Sequence, residues 1–265
     1  MADAAVHAWR GPASAPVAAR VHATFDELHR QSPVLGAAGW LLIAGLAVAS
    51  LALVVDARTV GGVSVWLKPA KFALSITIYL WTLGWLLHHL PRGRVDVAAN
   101  LIALVMVLEF VLIFSQAARG TASHFNSATA YDVAVYRAMG VLILANTLAV
   151  AYLTFLWFRL RPPLPGAYLL GIRLGFLLFI LTAASGGIMI AAVSHRVGEA
   201  GDLRVAHFVA MHALQAMPAA GLVAHRLQRR GTLRSPGSWV AAFALLLLVV
   251  HAAVLLLALA GRSLA

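Results

Sequence analysis

The sequence contains no cysteine. That excludes disulfides, thiolate metal ligands, iron–sulfur clusters, covalently attached c-type haem and a cysteine nucleophile. Any divalent metal or haem b has to be held by His, Met, Glu, Asp or Tyr. Charge is also scarce: 11% of the 265 residues are charged, where a soluble domain has about 25%. Acidic residues are the rarer kind, nine Asp and Glu against twenty Lys and Arg, for a net charge of +11. In a soluble chain that excess would suggest nucleic acid. Here 62% of the residues are apolar and the basic residues fall in short segments between apolar runs. Membrane topology accounts for them, and no nucleic-acid partner is expected. No internal repeat is apparent, which argues against an inverted-repeat carrier.

What the chain does have is long apolar runs. Seven are read, at about 34–55, 66–87, 96–117, 133–157, 166–192, 204–226 and 238–260, each near the ~20 residues a helix needs to cross a hydrocarbon core. Continuous runs of that length predict helices, because lipid leaves the backbone no other partner. The expected fold is an all-α, polytopic seven-transmembrane-helix bundle over 34–265, in a bacterial inner membrane and in contact with the lipid bilayer. Arg10, Arg20, Arg30, Arg92, Arg94, Arg159, Arg161, Arg226, Arg229, Arg230 and Arg234 fall on one side of it. Only Arg58, Arg119, Arg196 and Arg262 fall on the other, which predicts a cytoplasmic N-terminus and an external C-terminus. Residues 1–33 read as a retained cytoplasmic tail rather than a cleaved signal. Within it Val17, Val21, Phe25 and Leu28 recur at helical spacing and predict a short amphipathic helix at the interface.

Ionisable groups inside a membrane are costly, so they are candidates for function. Lys68, Lys71, Ser75, Tyr79, Thr82 and His89 fall on one face of the second span. Glu109 lies in the third span with Gln116 on the same face. The bland reading of Glu109 is an ion pair with Lys71 or Arg137. The sixth span presents Arg204, His207, Met211, His212 and Gln215 within one arc, and Pro218 predicts a kink below it. His251 is the polar group of the seventh span, and its bland reading is a hydrogen-bonded core histidine. Ser75, Glu109, His212 and His251 lie at matching depths of roughly 12–14 Å below the outer ends of their spans. Glu109, His212 and His251 are thus a candidate metal site, and His212 with His251, or Met211 and Met189 as substitutes, a candidate haem site. Glu109, His207 and His212 are the candidate catalytic groups. The outer loop Gln116–Asn126 adds Arg119, His124 and Asn126 as a rim, with Ser127 or Asp132 capping the next helix and Asp202 capping the sixth span. The candidate ligand-binding set is Lys68, Lys71, Ser75, Gln116, Arg119, His124, Asn126, Arg137, Arg204 and Gln215.

Three stretches carry a resemblance: Trp66-Leu-Lys68-Pro69-Ala-Lys71-Phe72-Ala-Leu-Ser75, the Gln116–Asn126 loop, and Gly201-Asp202-Leu-Arg204-Val-Ala-His207-Phe208-Val-Ala-Met211-His212-Ala-Leu-Gln215. Together they resemble an uncharacterised family of bacterial multi-span membrane proteins, over roughly 60–218. The relatives often have a longer segment between the fifth and sixth spans. The resemblance implies a shared site on the outer side and no particular reaction. His251 lies outside it, which favours the Lys, Glu, Arg, His and Gln cluster over the three-ligand metal site.

Three functions are open on the sequence. One is a membrane enzyme, with a metal or haem, acting in an outward-facing basic pocket on a lipid, a quinone or another anionic amphipathic ligand. The second is a proton-coupled transporter of a small anionic solute. The third is a non-catalytic partner subunit whose polar groups pair among themselves.

Overall fold

A computed structural model describes residues 17–262. Arg10 and the rest of 1–16, residues 263–265, and the side chains of Val17, Ala18, Arg20, Val21, His22, Thr182 and Ala184 lie outside the described residues. Among the described residues the fold is all-α and 78% helical. The helices are α1 Val17–Gln31, α2 Pro33–Val55, α3 Leu67–Leu87, α4 Arg92–Ala118, α5 Ala130–Arg159, α6 Gly166–Ala191, α7 Leu203–Arg229 and α8 Pro236–Leu259. Two antiparallel hairpins, β1 Thr59–Val60 with β2 Val63–Ser64 and β3 Arg196–Val197 with β4 Gly201–Asp202, interrupt the helical order.

Six helices, α2 to α6 and α8, are long and apolar enough to cross a membrane. That is consistent with an integral, multi-pass membrane protein. Among the described residues these are six rather than the seven expected. The run at 204–226 does fold as a helix, α7, but it carries Arg204, His207, His212, Gln215, His225, Arg226 and Arg229 and falls outside the six. Length is not what it lacks, since its 27 residues cover about 40 Å. It also continues through Pro218 as one helix. Helix starts follow local chemistry: Pro33 and Pro236 sit in the first turns of α2 and α8, where a missing N–H costs nothing.

The described residues form two compact units, 17–149 and 150–262, with α5 running through the boundary. In the first unit α1 is the amphipathic helix the sequence predicts. Its Leu28 is buried and its Phe25 ring lies 5.6 Å from Trp40 and 4.8 Å from Trp81, so it docks on α2 and α3. In the second unit α6, α7 and α8 pack around Ala213, Met217, Ala224, Val240 and Ala244. Gly171 and Gly221 face the backbones of Met217 and Ala167 so closely that a Cβ at either has no room. Small residues at such crossings let membrane helices approach without a hydrophobic drive between them.

Each unit repeats one element order: helix, two-stranded hairpin, helix, short turn, helix. In the first it is α2, β1–β2, α3, α4; in the second α6, β3–β4, α7, α8. The element order thus recurs, although no repeat is apparent in the sequence by eye. Most side chains of the two sets differ, so element order preserves what composition hides.

Candidate functional site

The first unit gathers most of the predicted ligand-binding residues at the hairpin end of its helices. Lys68 is the second residue of α3, and its Nζ donates to Nδ1 of His124 in the α4–α5 loop at 2.9 Å. Ser123 Oγ lies 3.2 Å from the same nitrogen. Lys68 also sits 5.5 Å from the Phe72 ring centroid, and Phe72 lies 6.2 Å from the His124 ring. The loop is tied to its helices by a second cluster. Arg119 Nη1 donates to Asp132 Oδ1 at 2.7 Å and to Gln116 Oε1 at 2.5 Å, while Gln116 Nε2 donates to Asp132 Oδ1 at 2.9 Å. Gln116 is fully buried and Asp132 2% exposed, while Arg119 is exposed, so its guanidinium closes a buried pair from the outer edge.

Asn126 is a brace. Its amide donates to Thr121 Oγ1 and to Ala122 O, each at 2.9 Å, and its Oδ1 accepts from the Ala128 N–H at 3.0 Å. The cap of α5 is Thr129 rather than Ser127 or Asp132. Thr129 Oγ1 accepts the Asp132 N–H at 3.1 Å and donates to Asp132 Oδ2 at 2.7 Å, which uses Asp132 as the reciprocal partner inside the first turn. Thr129→Ala is expected to cost about 1 kcal/mol of stability in a denaturant titration, the usual loss for a helix cap.

Glu109 is 2% exposed, and its Oε2 has no hydrogen-bond partner. The cation whose charge acts on it is Lys68. Lys71 and Arg137, the ion-pair partners expected from the sequence, are both exposed instead. The spacing error is one helical turn: Lys68 and Lys71 differ by three residues, and the earlier one turns inward. The polar stripe on α3 is likewise broken into separate bonds. Tyr79 donates to Asn146 Oδ1 at 2.9 Å, Thr82 donates to Ile78 O of its own helix at 2.7 Å, and Ser75 is half-buried between them. Hydroxyls one turn from a helix carbonyl satisfy themselves locally, so a face that looks continuous in sequence is not a continuous path.

Two contributors are not in the predicted set. Tyr136 on α5 has a buried hydroxyl without a hydrogen-bond partner, and its ring centroid lies 6.4 Å from His124. Its position four residues after Asp132, on the same helix face, is the signal in the sequence. Phe125 has φ +54, a left-handed backbone uncommon for a bulky residue, and its ring packs 5.4 Å from Tyr136. This conformation turns His124 and Phe125 back toward the helices. Burial, and then the charge of Lys68, push the His124 imidazole down to about 3. His124 is thus neutral near neutrality. Because Nδ1 accepts from Lys68, its proton resides on Nε2, and the site offers an ammonium, an imidazole N–H and a phenol as donors.

The remaining candidates belong to the second unit. Arg204 is exposed and held by Asp202, with Nε to Oδ1 at 2.9 Å and Nη2 to Oδ2 at 2.5 Å, and Asp202 caps α7 as the sequence predicts. His207 Nδ1 is hydrogen-bonded to Ser185 Oγ at 3.1 Å. His212 Nδ1 donates to Phe208 O at 2.9 Å, and its ring lies 3.9 Å from the Phe208 ring. Gln215 Oε1 is buried without a partner. His251 is a core histidine, 6% exposed, donating from Nδ1 to Ala206 O at 2.9 Å. Among the described residues no group of three or more His, Asp or Glu side chains is placed to hold a metal ion. The expected metal set of Glu109, His212 and His251 therefore finds no support, nor does haem. No protein-family model matches the chain, and neither the curated proteins nor the solved structures contain a match to it.

Proposed function

We propose that the protein binds the anionic headgroup of a small solute or amphiphile together with a proton, and acts as a proton-linked carrier in the bacterial inner membrane. In this reading the N-terminus is cytoplasmic, the C-terminus external, α7 serves as the seventh span and the site lies at the external end. The observation that carries it is the buried Glu109 Oε2 without a hydrogen-bond partner, in the field of a lysine that is itself bonded to a neutral histidine.

The argument is one of charge balance. Lys68 and an ionised Glu109 cancel. An anion entering beside them leaves a net negative charge in a weakly polarisable site, which is costly. Protonating Glu109 restores neutrality, with Lys68, the His124 Nε2–H and the Tyr136 hydroxyl as donors to the bound oxygens. Two tandem copies of one three-helix order suit a carrier, since transporters are commonly built from repeats.

The test is equilibrium binding of phosphatidylglycerol to detergent-purified protein across a pH series, with proton uptake followed by a pH indicator. One proton is taken up per lipid, and affinity falls about tenfold per pH unit on the alkaline side. Glu109→Gln binds with neither the uptake nor the slope. Lipid binding without proton uptake in the wild-type protein overturns the reading.

A second reading is an acid–base membrane enzyme acting on a lipid or quinone. The unpartnered Tyr136 hydroxyl beside His124 favours it, as a donor aimed at a reacting oxygen. Chemical conversion of phosphatidylglycerol or of a quinone by the purified protein, lost in Tyr136→Phe with binding retained, would distinguish it.

A further inference from the structure

The charges around Lys68 close among themselves. Lys68 is bonded to His124 and set against Glu109. Arg119, at the start of the loop that carries His124, is engaged by Asp132 and Gln116. With Glu109 protonated, as the charge balance above requires, one positive charge is left for the ligand to meet. A monoanion neutralises it, whereas a dianion leaves a net charge in a buried site, which is costly. The donors are Lys68, the Nε2–H of neutral His124 and the Tyr136 hydroxyl, which is buried without a hydrogen-bond partner. The two oxygens of one carboxylate can accept from all three.

What frames these donors is aromatic. Phe72 of α3, His124 and Phe125 of the α4–α5 loop and Tyr136 of α5 form a chain of rings. Their centroids lie 6.2 Å apart for Phe72 and His124, 6.2 Å for His124 and Phe125, 6.4 Å for His124 and Tyr136, and 5.4 Å for Phe125 and Tyr136. All four contacts are tilted or edge-on, and none is stacked. The rings therefore leave one another's faces uncovered, in the geometry that offset or edge-to-face contact with a further ring requires. Behind Phe72 the wall is apolar, formed by the buried Ile113, Val135 and Met139.

Phe125 reaches this frame against its own backbone preference. Its φ of +54 is uncommon for a bulky residue, and glycine is the usual occupant of that region. Asn126 holds the turn, through amide bonds to Thr121 Oγ1 and Ala122 O at 2.9 Å each. Backbone strain enforced by its surroundings is concentrated at ligand sites, and here it delivers a ring beside the unbonded phenol. His124 is both a donor and a member of the ring chain, so the group that meets the rings is the one attached directly to the bound anion.

We propose that the ligand is an aromatic monocarboxylate, held by its carboxylate on Lys68, His124 and Tyr136 and by its ring among Phe72, Phe125 and Tyr136. This rests on the reading of Lys68 and Glu109 as the charge-balanced pair of a proton-linked anion site.

Isothermal titration calorimetry of the full chain in neutral detergent compares benzoate with cyclohexanecarboxylate, which has the same charge and carbon count but no π-face. Benzoate is expected to bind about tenfold more tightly, the worth of one or two ring contacts, with one proton taken up. Benzamide, the neutral counterpart, is expected to bind at least tenfold more weakly than benzoate. Phe125→Leu is expected to weaken benzoate alone and bring the preference below twofold. Phe125→Gly, which accepts the left-handed backbone, does the same and serves if the leucine variant does not fold. A merely structural role for Phe125 would weaken both carboxylates equally. Equal wild-type affinity for the two carboxylates, each with one proton taken up, overturns the aromatic class and leaves the anion site standing. So does phosphatidylglycerol binding with proton uptake where benzoate does not bind. Benzamide binding as tightly as benzoate overturns the carboxylate. A benzoate preference without proton uptake, unchanged in Glu109→Gln, keeps the aromatic class and overturns the proton-linked reading.

Discussion

Lys68→Met is expected to destabilise the protein by about 3 kcal/mol, because removing one member of a buried charge pair strands the other. The stranded group is Glu109, 2% exposed and without a hydrogen bond to its Oε2. His124 at the same time loses the ammonium that donates to its Nδ1. The informative variant is the double one. Lys68→Met with Glu109→Gln removes both charges, and its stability is expected to return to within about 1 kcal/mol of wild type, since the charge coupling is gone with both partners. Glu109→Gln alone leaves a single cation on a half-buried side chain, which snorkels toward water at lower cost. Reversible unfolding in mixed micelles measures all four corners of the cycle. Strict additivity of the two single losses would show that Lys68 and Glu109 are not coupled, and the proton-linked site would lose its basis.

Helix placement was legible in the sequence because lipid enforces it. Six apolar runs became α2 to α6 and α8 with ends moved by a few residues, and the largest extension, at Arg92, recruited polar residues into a helix start. The hairpins were not anticipated, although Gly61 and Gly62 between Val60 and Val63 are a hairpin signal. Two-residue strands between long helices are too short for periodicity to register. The site was legible as a list but not as a set of partners. Lys68, Glu109 and His124 were all candidates, yet residue spacing could not tell that Lys68 rather than Lys71 turns inward, because helical wheels give a face and not the neighbour it meets. Arg119, Gln116 and Asn126 carry the polarity of a site and do the work of loop architecture. Buried polar groups are bonded for structural reasons far more often than for functional ones. Of the buried atoms without a hydrogen bond, those on Glu109 and Tyr136 fall beside the Lys68–His124 pair, which singles these two out from the polar residues as a class.

His124 is expected to set the acid limb of stability. Burial and the nearby Lys68 hold its imidazole near 3, against the ordinary 6.5. Between those values the unfolded chain binds a proton that the folded chain refuses. Stability is therefore complete above about pH 6.5 and is lost progressively as pH falls toward about 3. His124→Gln keeps a side-chain oxygen able to accept from the Lys68 ammonium but cannot take up a proton. At neutral pH the variant is expected to be less stable by about 1 kcal/mol, the worth of an imperfectly replaced hydrogen bond. Near pH 4 the order reverses, with the variant about 2 kcal/mol more stable than wild type, because only the wild type bears the cost of the missing proton. Asp56, held well below the usual carboxylate range by hydrogen bonds from Arg58 and Trp66, contributes equally to both proteins and cancels from the comparison. Denaturant unfolding across a pH series reads the crossing directly. Curves that stay parallel would mean that the loop has already opened and released His124 to water before the acid range is reached, and the neutral imidazole could not then serve as a donor beside Lys68.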